Sequence, residues 1–331
     1  MHSLPFFTKK PIRWGIIGCG NVTEVKSGPP YQFTKDFKLA MVMRRDGEKA
    51  KDYAVRHNVP QWTSDAREII ENPEIDAVYV ATPPDTHKYY GLQVAKMGKP
   101  CCIEKPMSPS YKDSLEIYQA FEENQVPLFI AYYRRSLPRF NQIKQWLNDE
   151  WIGEIRHIHW VKTRRASPLD MSGAYNWRTD AKIAPAGYFD DLASHGLNLF
   201  TYFLGEIVTA AGVATNQQGL YSAYDTVSGS WMHKSGVSGS GSWNFGSHQP
   251  KDEVVILGAK GEIRFSVLGE MPLTLVSDKK TESIVIEHPK HLHQPHVENM
   301  GKHLFGEAIH PSQGDSGLHT SWVMDKILGT I

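Results

Sequence analysis

Cysteine is scarce in this chain of 331 residues. There are three, two of them adjacent at Cys101 and Cys102. That leaves no material for a disulfide framework or a cysteine-based metal knuckle. No uninterrupted apolar run approaches the roughly 18 residues that a membrane span needs. The first ten residues hold only a short apolar patch before Lys9 and Lys10, well below the ~7–15 apolar residues of a secretion signal. Net charge is missing too, because 36 lysines and arginines balance 36 aspartates and glutamates. This excludes the basic surplus usual in nucleic-acid binders and polybasic membrane-surface proteins. The expectation is a reduced, cytoplasmic protein with neither nucleic acid nor membrane as partner. At 40% hydrophobic and 22% charged residues the chain is composed to fold, and at roughly 150 residues per domain its length suggests two domains.

What is present alternates. Residues 12–18 form an apolar run ending in glycine, and 39–43, 75–80, 101–103 and 128–131 are further short runs of buried-strand type. Between them lie helical patterns. Asp46 is placed to cap one that carries Ala50, Tyr53 and Ala54, with Asn58 near its end. A second runs through Tyr90, Val94 and Met97 to Gly98. A third presents Tyr111, Leu115 and Tyr118. Strands alternating with such helices predict βαβ units and a parallel, doubly wound sheet over residues 10–134. Beyond residue 134 a helix with Phe140, Ile143, Trp146 and Leu147 is followed by strand-like stretches separated by turns. Residues 135–331 are therefore expected to form an α+β domain with a large, mostly antiparallel open sheet. The Gly/Ser-rich stretch 235–242 is read as a strand and not a linker, because small residues between Trp231 and Trp243 permit close packing.

Gly18-Cys19-Gly20-Asn21-Val22-Thr23 follows the first strand directly. Glycines at a strand-to-helix turn let backbone N–H groups approach a pyrophosphate, so Gly18, Gly20, Asn21 and Val22 are cofactor-binding candidates. Thr23 stands where a third glycine is usual. At the end of the second strand the chain reads Met43-Arg44-Arg45-Asp46. A carboxylate there accepts from the ribose 2′-hydroxyl of NAD, whereas a guanidinium pairs with the 2′-phosphate of NADP. Arg44 and Arg45, with Lys49 one turn on, favour NADP(H) over NAD(H). The competing readings are an exposed, solvated basic pair and Asp46 as the ribose acceptor.

Glu104-Lys105-Pro106 puts a lysine at the carboxyl end of a parallel strand, the edge where open α/β sheets hold ligands. Gly18-Cys-Gly20, Ala81-Thr82-Pro83-Pro-Asp-Thr-His87 and Glu104-Lys-Pro106, in this order, resemble the glucose–fructose oxidoreductase / inositol dehydrogenase / rhizopine catabolism (Gfo/Idh/MocA) family. The likeness continues through Tyr133-Arg134-Arg135 and from Gly187 to Gly205. It implies a Rossmann domain, a C-terminal domain for substrate binding and oligomerisation, and nicotinamide-dependent oxidation or reduction of a sugar or cyclitol. It further implies that Lys105 sits at the oxygen of the reacting carbon. Thr82, Pro83 and His87 would lie along the cofactor, with Glu104 and Lys105 beside it.

Tyr188-Phe-Asp190-Asp191-Leu-Ala-Ser-His195-Gly-Leu-Asn198 is similar to the family's Asp-x-x-x-His-x-x-Asp helix. Asp191, His195 and Asn198 stand at i, i+4 and i+7 on one helix face, whereas Asp190 lies about 140° from His195. A carboxylate beside an imidazole orients it and supports its charged form, so Asp191 and His195 are read as a general acid/base pair working with Lys105. The chain departs from the family pattern at Pro185-Ala186, where glycines are usual, at Ala193, and at Asn198, where an aspartate is usual. Tyr133, Arg134, Trp177, Arg178 and Asn198 are substrate candidates. The expected enzyme is an NADP(H)-dependent dehydrogenase or reductase moving a hydride to or from a secondary carbon of a sugar, sugar derivative or cyclitol, as a homodimer or homotetramer. Two alternatives stay open: a glycoside-cleaving enzyme that oxidises its sugar transiently, and a non-catalytic NADP-binding regulator. His157 with His159, and the cluster His288, His291, His293 and His296, have no cysteines nearby, and no metal is expected.

Overall fold

The computed structural model describes residues 4–331. They fall into two compact units. The first holds the chain up to Leu137 together with Pro289–Leu318; the second holds Pro138–His288 and His319–Ile331. The second domain expected over residues 135–331 therefore does not keep all of them, because Pro289–Leu318 packs with the first unit.

In the first unit β1 (Ile12–Ile17) is followed by two short helices, α1 (Asn21–Val25) and α2 (Pro30–Phe33), then β2 (Phe37–Met43), α3 (Gly47–Arg56), β3 (Gln61–Thr63), α4 (Arg67–Ile70), β4 (Ala77–Val80), α5 (His87–Lys96), β5 (Cys101–Ile103), α6 (Tyr111–Glu123) and β6 (Leu128–Ile130). The six strands are parallel, in the order β3-β2-β1-β4-β5-β6. This order reverses direction next to β1, which opens a crevice at the carboxyl ends of β1 and β4. Strands β4, β5 and β6 are continuous apolar runs, buried along their whole length, because the sheet is covered on both faces. Along β4, Ala77 and Tyr79 join one core cluster and Val78 and Val80 the other. Local signals act as expected. The Asp46 side chain accepts from the Lys49 N–H at 3.2 Å, Asn58 has φ +53° just past α3, and Gly98 has φ +66° just past α5. On α6 the buried face is Ser114, Ile117 and Phe121, not the expected Tyr111, Leu115 and Tyr118, which stay half-exposed. The Ser114 hydroxyl pairs with that of Ser108 at 2.7 Å, so a polar residue satisfied inside took the place of a tyrosine.

The second unit contains α7 (Pro138–Asn148), β7 (Ile155–Thr163), α8 (Pro168–Ser172), α9 (Tyr188–Leu204), β8 (Ile207–Thr215), β9 (Thr226–His233), β10 (Ser238–Asn244), β11 (Lys251–Gly258), β12 (Gly261–Phe265), β13 (Leu273–Ser277) and β14 (Thr281–Ile284). Its eight strands are ordered β14-β13-β12-β11-β7-β10-β9-β8, antiparallel except for β7 with β10. The Gly/Ser stretch is strand β10, and tryptophans fill the space its glycines leave. A Cβ on Gly239 would stand 2.1 Å from Trp231, and one on Gly241 2.2 Å from Trp243. On α9, a Cβ on Gly196 would meet Trp160 at 2.3 Å. Trp160 and Phe189 meet Trp243 edge-on, with centroids at 5.5 and 5.0 Å. The serines of β10 have their own partners: His157 bonds Ser238 and Ser240, and His159 bonds Ser240.

Two helices close the chain, α10 (Gln294–Leu304) and α11 (Gly314–Leu328). Pro295 stands in the first turn of α10, where a missing N–H costs nothing. Val297, Met300 and Leu304 of this helix are fully buried in the first unit's core, beside Trp14, Ile16 and Tyr79.

Candidate functional site

Both the glycine loop and the Thr-Pro-Pro segment end at the crevice of the first unit, and they touch. Gly18 has φ +95°, and a Cβ there would stand 2.7 Å from Thr82 Cγ2 and 3.0 Å from the backbone of Ala81. Only glycine lets the turn after β1 lie against the end of β4. A Cβ on Gly20, by contrast, would meet nothing nearer than the Gly18 carbonyl at 3.8 Å, so the loop's outer side is open to a ligand. The helix behind the loop departs from expectation. α1 has only five residues, so a developed helix dipole is lacking there. Thr23 is accommodated by bonding backward: its hydroxyl donates to the Gly20 carbonyl at 2.8 Å and accepts the Gly20 N–H at 2.9 Å. Asn21 is exposed and Val22 half-exposed on this loop. Cys19 is buried, and desolvation pushes its thiol up to about 11, where it is inert.

At the end of β2, Asp46 is committed to α3, capping its first turn and pairing with Lys49 Nζ at 3.1 Å. Arg44 is half-buried and Arg45 exposed, and neither forms an ion pair among the described residues. Arg45 also lines a cavity of about 360 Å³ with Ser64, Asp65, Tyr89 and Tyr90.

His87 is fully buried, with Nε2 2.8 Å from the Thr82 carbonyl and Nδ1 3.1 Å from the Pro106 carbonyl. Burial pushes its pKa down. The expectation that it lies along a cofactor is corrected. With no exposed surface and both ring nitrogens on backbone carbonyls, it ties the Thr82 loop to the Glu-Lys-Pro loop. Glu104 is buried and Lys105 half-buried at the end of β5. The Glu104 carboxylate accepts from the Tyr79 hydroxyl at 2.5 Å and from the Lys105 backbone N–H at 3.1 Å, and His293 Nε2 is 3.8 Å away. Past β6, Tyr133 stacks near His293 at 4.4 Å, with the Arg134 guanidinium 4.9 Å from the Tyr133 ring; both are nearly buried. Burial and the nearby Arg134, Lys26 and Lys105 charges push His293 down to about 3.

In the second unit Asp191, His195 and Asn198 lie on α9, which starts at Gly187. That residue has φ +61°, and a Cβ there would stand 2.7 Å from the Tyr224 carbonyl. Arg178 Nε donates to Asp191 Oδ2 at 2.9 Å, and its guanidinium lies 4.3 Å from the Trp177 ring. His195 is 5% exposed. Asn198 is 1% exposed and donates to Thr320 Oγ1 at 2.9 Å. Such a bond gives the amide a structural task where the family pattern has a carboxylate. Asp190 accepts from the Ala186 N–H at 2.9 Å, and desolvation pushes its carboxyl up to about 7.

Tyr79 and the Arg178–Asp191 bond escaped the sequence reading. Both are pairings at a distance, and only the apolar placement of Tyr79 in its strand showed in the pattern.

Residues 12–132 match the model of an oxidoreductase family with an NAD-binding Rossmann fold, and residues 140–264 match the GFO/IDH/MocA C-terminal domain. The chain belongs to the Gfo/Idh/MocA oxidoreductase family. Oxidoreductase P35 of Formosa agariphila is 36% identical over 322 residues, which cover 96% of this chain and 99% of P35. The scyllo-inositol 2-dehydrogenase (NADP(+)) of Bacillus subtilis is 33% identical over 149 residues, 44% of each chain. Levoglucosan dehydrogenase of Pseudarthrobacter phenanthrenivorans is 28% identical over 166 residues, 50% of this chain and 42% of that protein. Among solved structures, levoglucosan dehydrogenase with NADH and levoglucosan superposes with a TM-score of 0.81 at 22% identity, over 96% of both chains. An Agrobacterium radiobacter oxidoreductase with NAD+, L-tartaric acid and magnesium gives 0.82 at 18% identity, over 96% and 95%. Like its relatives, this Gfo/Idh/MocA protein is a dehydrogenase or reductase. Among the described residues no helix is long and apolar enough to cross a membrane.

Proposed function

We propose that this chain is an NADP(H)-dependent oxidoreductase acting at a secondary carbon of a sugar, sugar derivative or cyclitol. The observation that carries the cofactor choice is the end of β2, where Asp46 is occupied by α3 and Lys49 while Arg44 and Arg45 have no carboxylate partner among the described residues. Two guanidinium groups with no ion pair among the described residues suit a 2′-phosphate better than a ribose hydroxyl. Gly18, Gly20, Asn21 and Val22 would hold the pyrophosphate, and Thr82 and Pro83 the ring-proximal part of the cofactor. When bound, the nicotinamide accepts or supplies the hydride.

The remaining steps fall to side chains. Lys105 hydrogen-bonds the oxygen on which charge develops and stabilises it as an alkoxide. His195 moves the proton, with Asp191 as its orienting carboxylate and Arg178 holding Asp191. Tyr133, Arg134 and Trp177 are assigned to the sugar. The three buried thiols suit a reducing, cytoplasmic setting. Exposed Val213, Met232 and Val276 on the sheet strands support a homodimer or homotetramer.

The test is a screen of levoglucosan, scyllo-inositol, D-xylose and related polyols with NADP+ and NAD+, read by absorbance of the reduced nicotinamide. Net turnover with a kcat/KM preference for NADP+ is expected. A preference for NAD+ would overturn the cofactor assignment, and binding without turnover on any polyol would favour the regulator.

A further inference from the structure

Lys105 belongs to a loop, and a loop does not fix an ammonium by itself. Its anchor is visible one residue earlier. Glu104 Oε1 takes the Tyr79 hydroxyl at 2.5 Å and Oε2 takes the Lys105 backbone N–H at 3.1 Å, so one carboxylate bridges the interior of β4 and the loop after β5. Tyr79 is 0% exposed, and its ring stacks on Tyr31 at 5.0 Å. A phenol-to-carboxylate bond of this length is charge-assisted and short. In a buried setting it is the kind of contact that specifies one geometry.

The geometry points to Tyr79 as a positioning residue for Lys105, acting through Glu104. The catalytic weight of this inference rests on the proposed role of Lys105. The groups around Glu104 include Tyr79 from β4, Cys102 from β5, Tyr31 from α2, His293 at the start of α10, and Lys105 itself. His293 is 3.8 Å from Oε1, beyond hydrogen-bond reach, and burial keeps it neutral near pH 7. Tyr79 donates a hydrogen bond to that oxygen from inside the sheet.

Amide hydrogen exchange by NMR reads the bridge without needing a substrate. In Tyr79→Phe the Lys105 amide is expected to exchange at least tenfold faster, while the amides of Cys101–Ile103 keep their protection. Glu104→Leu is the second variant, for use if the first fails to fold. Its side chain offers no acceptor to either partner, so the same selective loss is expected. Exchange at Lys105 unchanged within twofold, or lost equally along β5, overturns the proposal.

With the best substrate of the screen, Tyr79→Phe is expected to lower kcat at least tenfold and leave KM for the nicotinamide within twofold. The Tyr79→Phe/Glu104→Leu double variant should lose no more than the worse single. Lys105→Ala run alongside separates the two ideas. If it turns over normally, the catalytic reading fails and the exchange result still decides the bridge. If it is inactive and Tyr79→Phe is normal, the positioning role is overturned.

Discussion

Acidification should destabilise the first unit through its buried histidines. His293, His296 and His310 are all at most 2% exposed, and burial pushes each pKa down, His293 to about 3. Their rings adjoin, with centroids at 6.1 Å for His293–His296 and 4.6 Å for His296–His310, so a proton on one opposes a proton on the next. The folded chain refuses protons that the unfolded chain accepts near its ordinary 6.5. Stability is therefore complete above that value and is lost as pH falls toward the folded pKa, at about 1.4 kcal/mol per pH unit per histidine. Between pH 7.5 and 5.0 the loss from His293 is about 2 kcal/mol, and His296 and His310 add to it with the same sign. Asp190 in the second unit works in the opposite direction, because its carboxyl, raised to about 7, takes up a proton in the folded state over this range. A comparison with His293→Gln cancels that contribution. Urea unfolding of both proteins at pH 7.5 and 5.0 should show the variant losing about 2 kcal/mol less than wild type on acidification. Parallel losses, within about 0.5 kcal/mol, would refute the assignment of a neutral, proton-refusing His293.

Three substitutions probe other parts of the chain. His195→Ala should slow turnover by about 10²–10⁴-fold with NADPH affinity, read by cofactor fluorescence, nearly unchanged; equal activity in the variant would remove the proton-transfer role. Arg44→Ser should lower the NADP+ to NAD+ ratio of kcat/KM by about tenfold or more, the worth of a charge-assisted bond to a phosphate, and an unchanged ratio would transfer that task elsewhere. Gly239→Val forces a side chain into the ring of Trp231, and a loss of about 1–3 kcal/mol, or insoluble protein, is expected; a melting temperature equal to wild type would mean that the strand gives way at no cost.

The parallel sheet was legible because strands buried on both faces run apolar throughout, as in Ala77–Val80. Two strands went unread for the same physical reason in reverse. Gln61–Thr63 is three residues long with two exposed, and Ile207–Thr215 buries only Ile207 and Ala210, so neither carries the alternation of a half-buried strand. Strand β10 was readable from the small residues between two tryptophans. The site divided similarly. Gly18, Thr82, Glu104 and Lys105 stand out because turn geometry and strand ends are local. Arg178 on Asp191 and Tyr79 on Glu104 are bonds between residues far apart in sequence, invisible to any period. His87 misled because its sequence neighbourhood is that of a ligand loop while its ring is spent on backbone carbonyls.

Because Val297, Met300 and Leu304 complete the first unit's interior, that body is not a contiguous stretch of polypeptide. On the ribosome its opening strands must wait, part of one apolar face uncovered, until all of Pro138–His288 has been made. The nucleotide-binding half is thus begun first yet closed only after most of the other unit exists, and a gene fragment ending at residue 134 would encode a sheet short of one covering helix, to be supplied in trans.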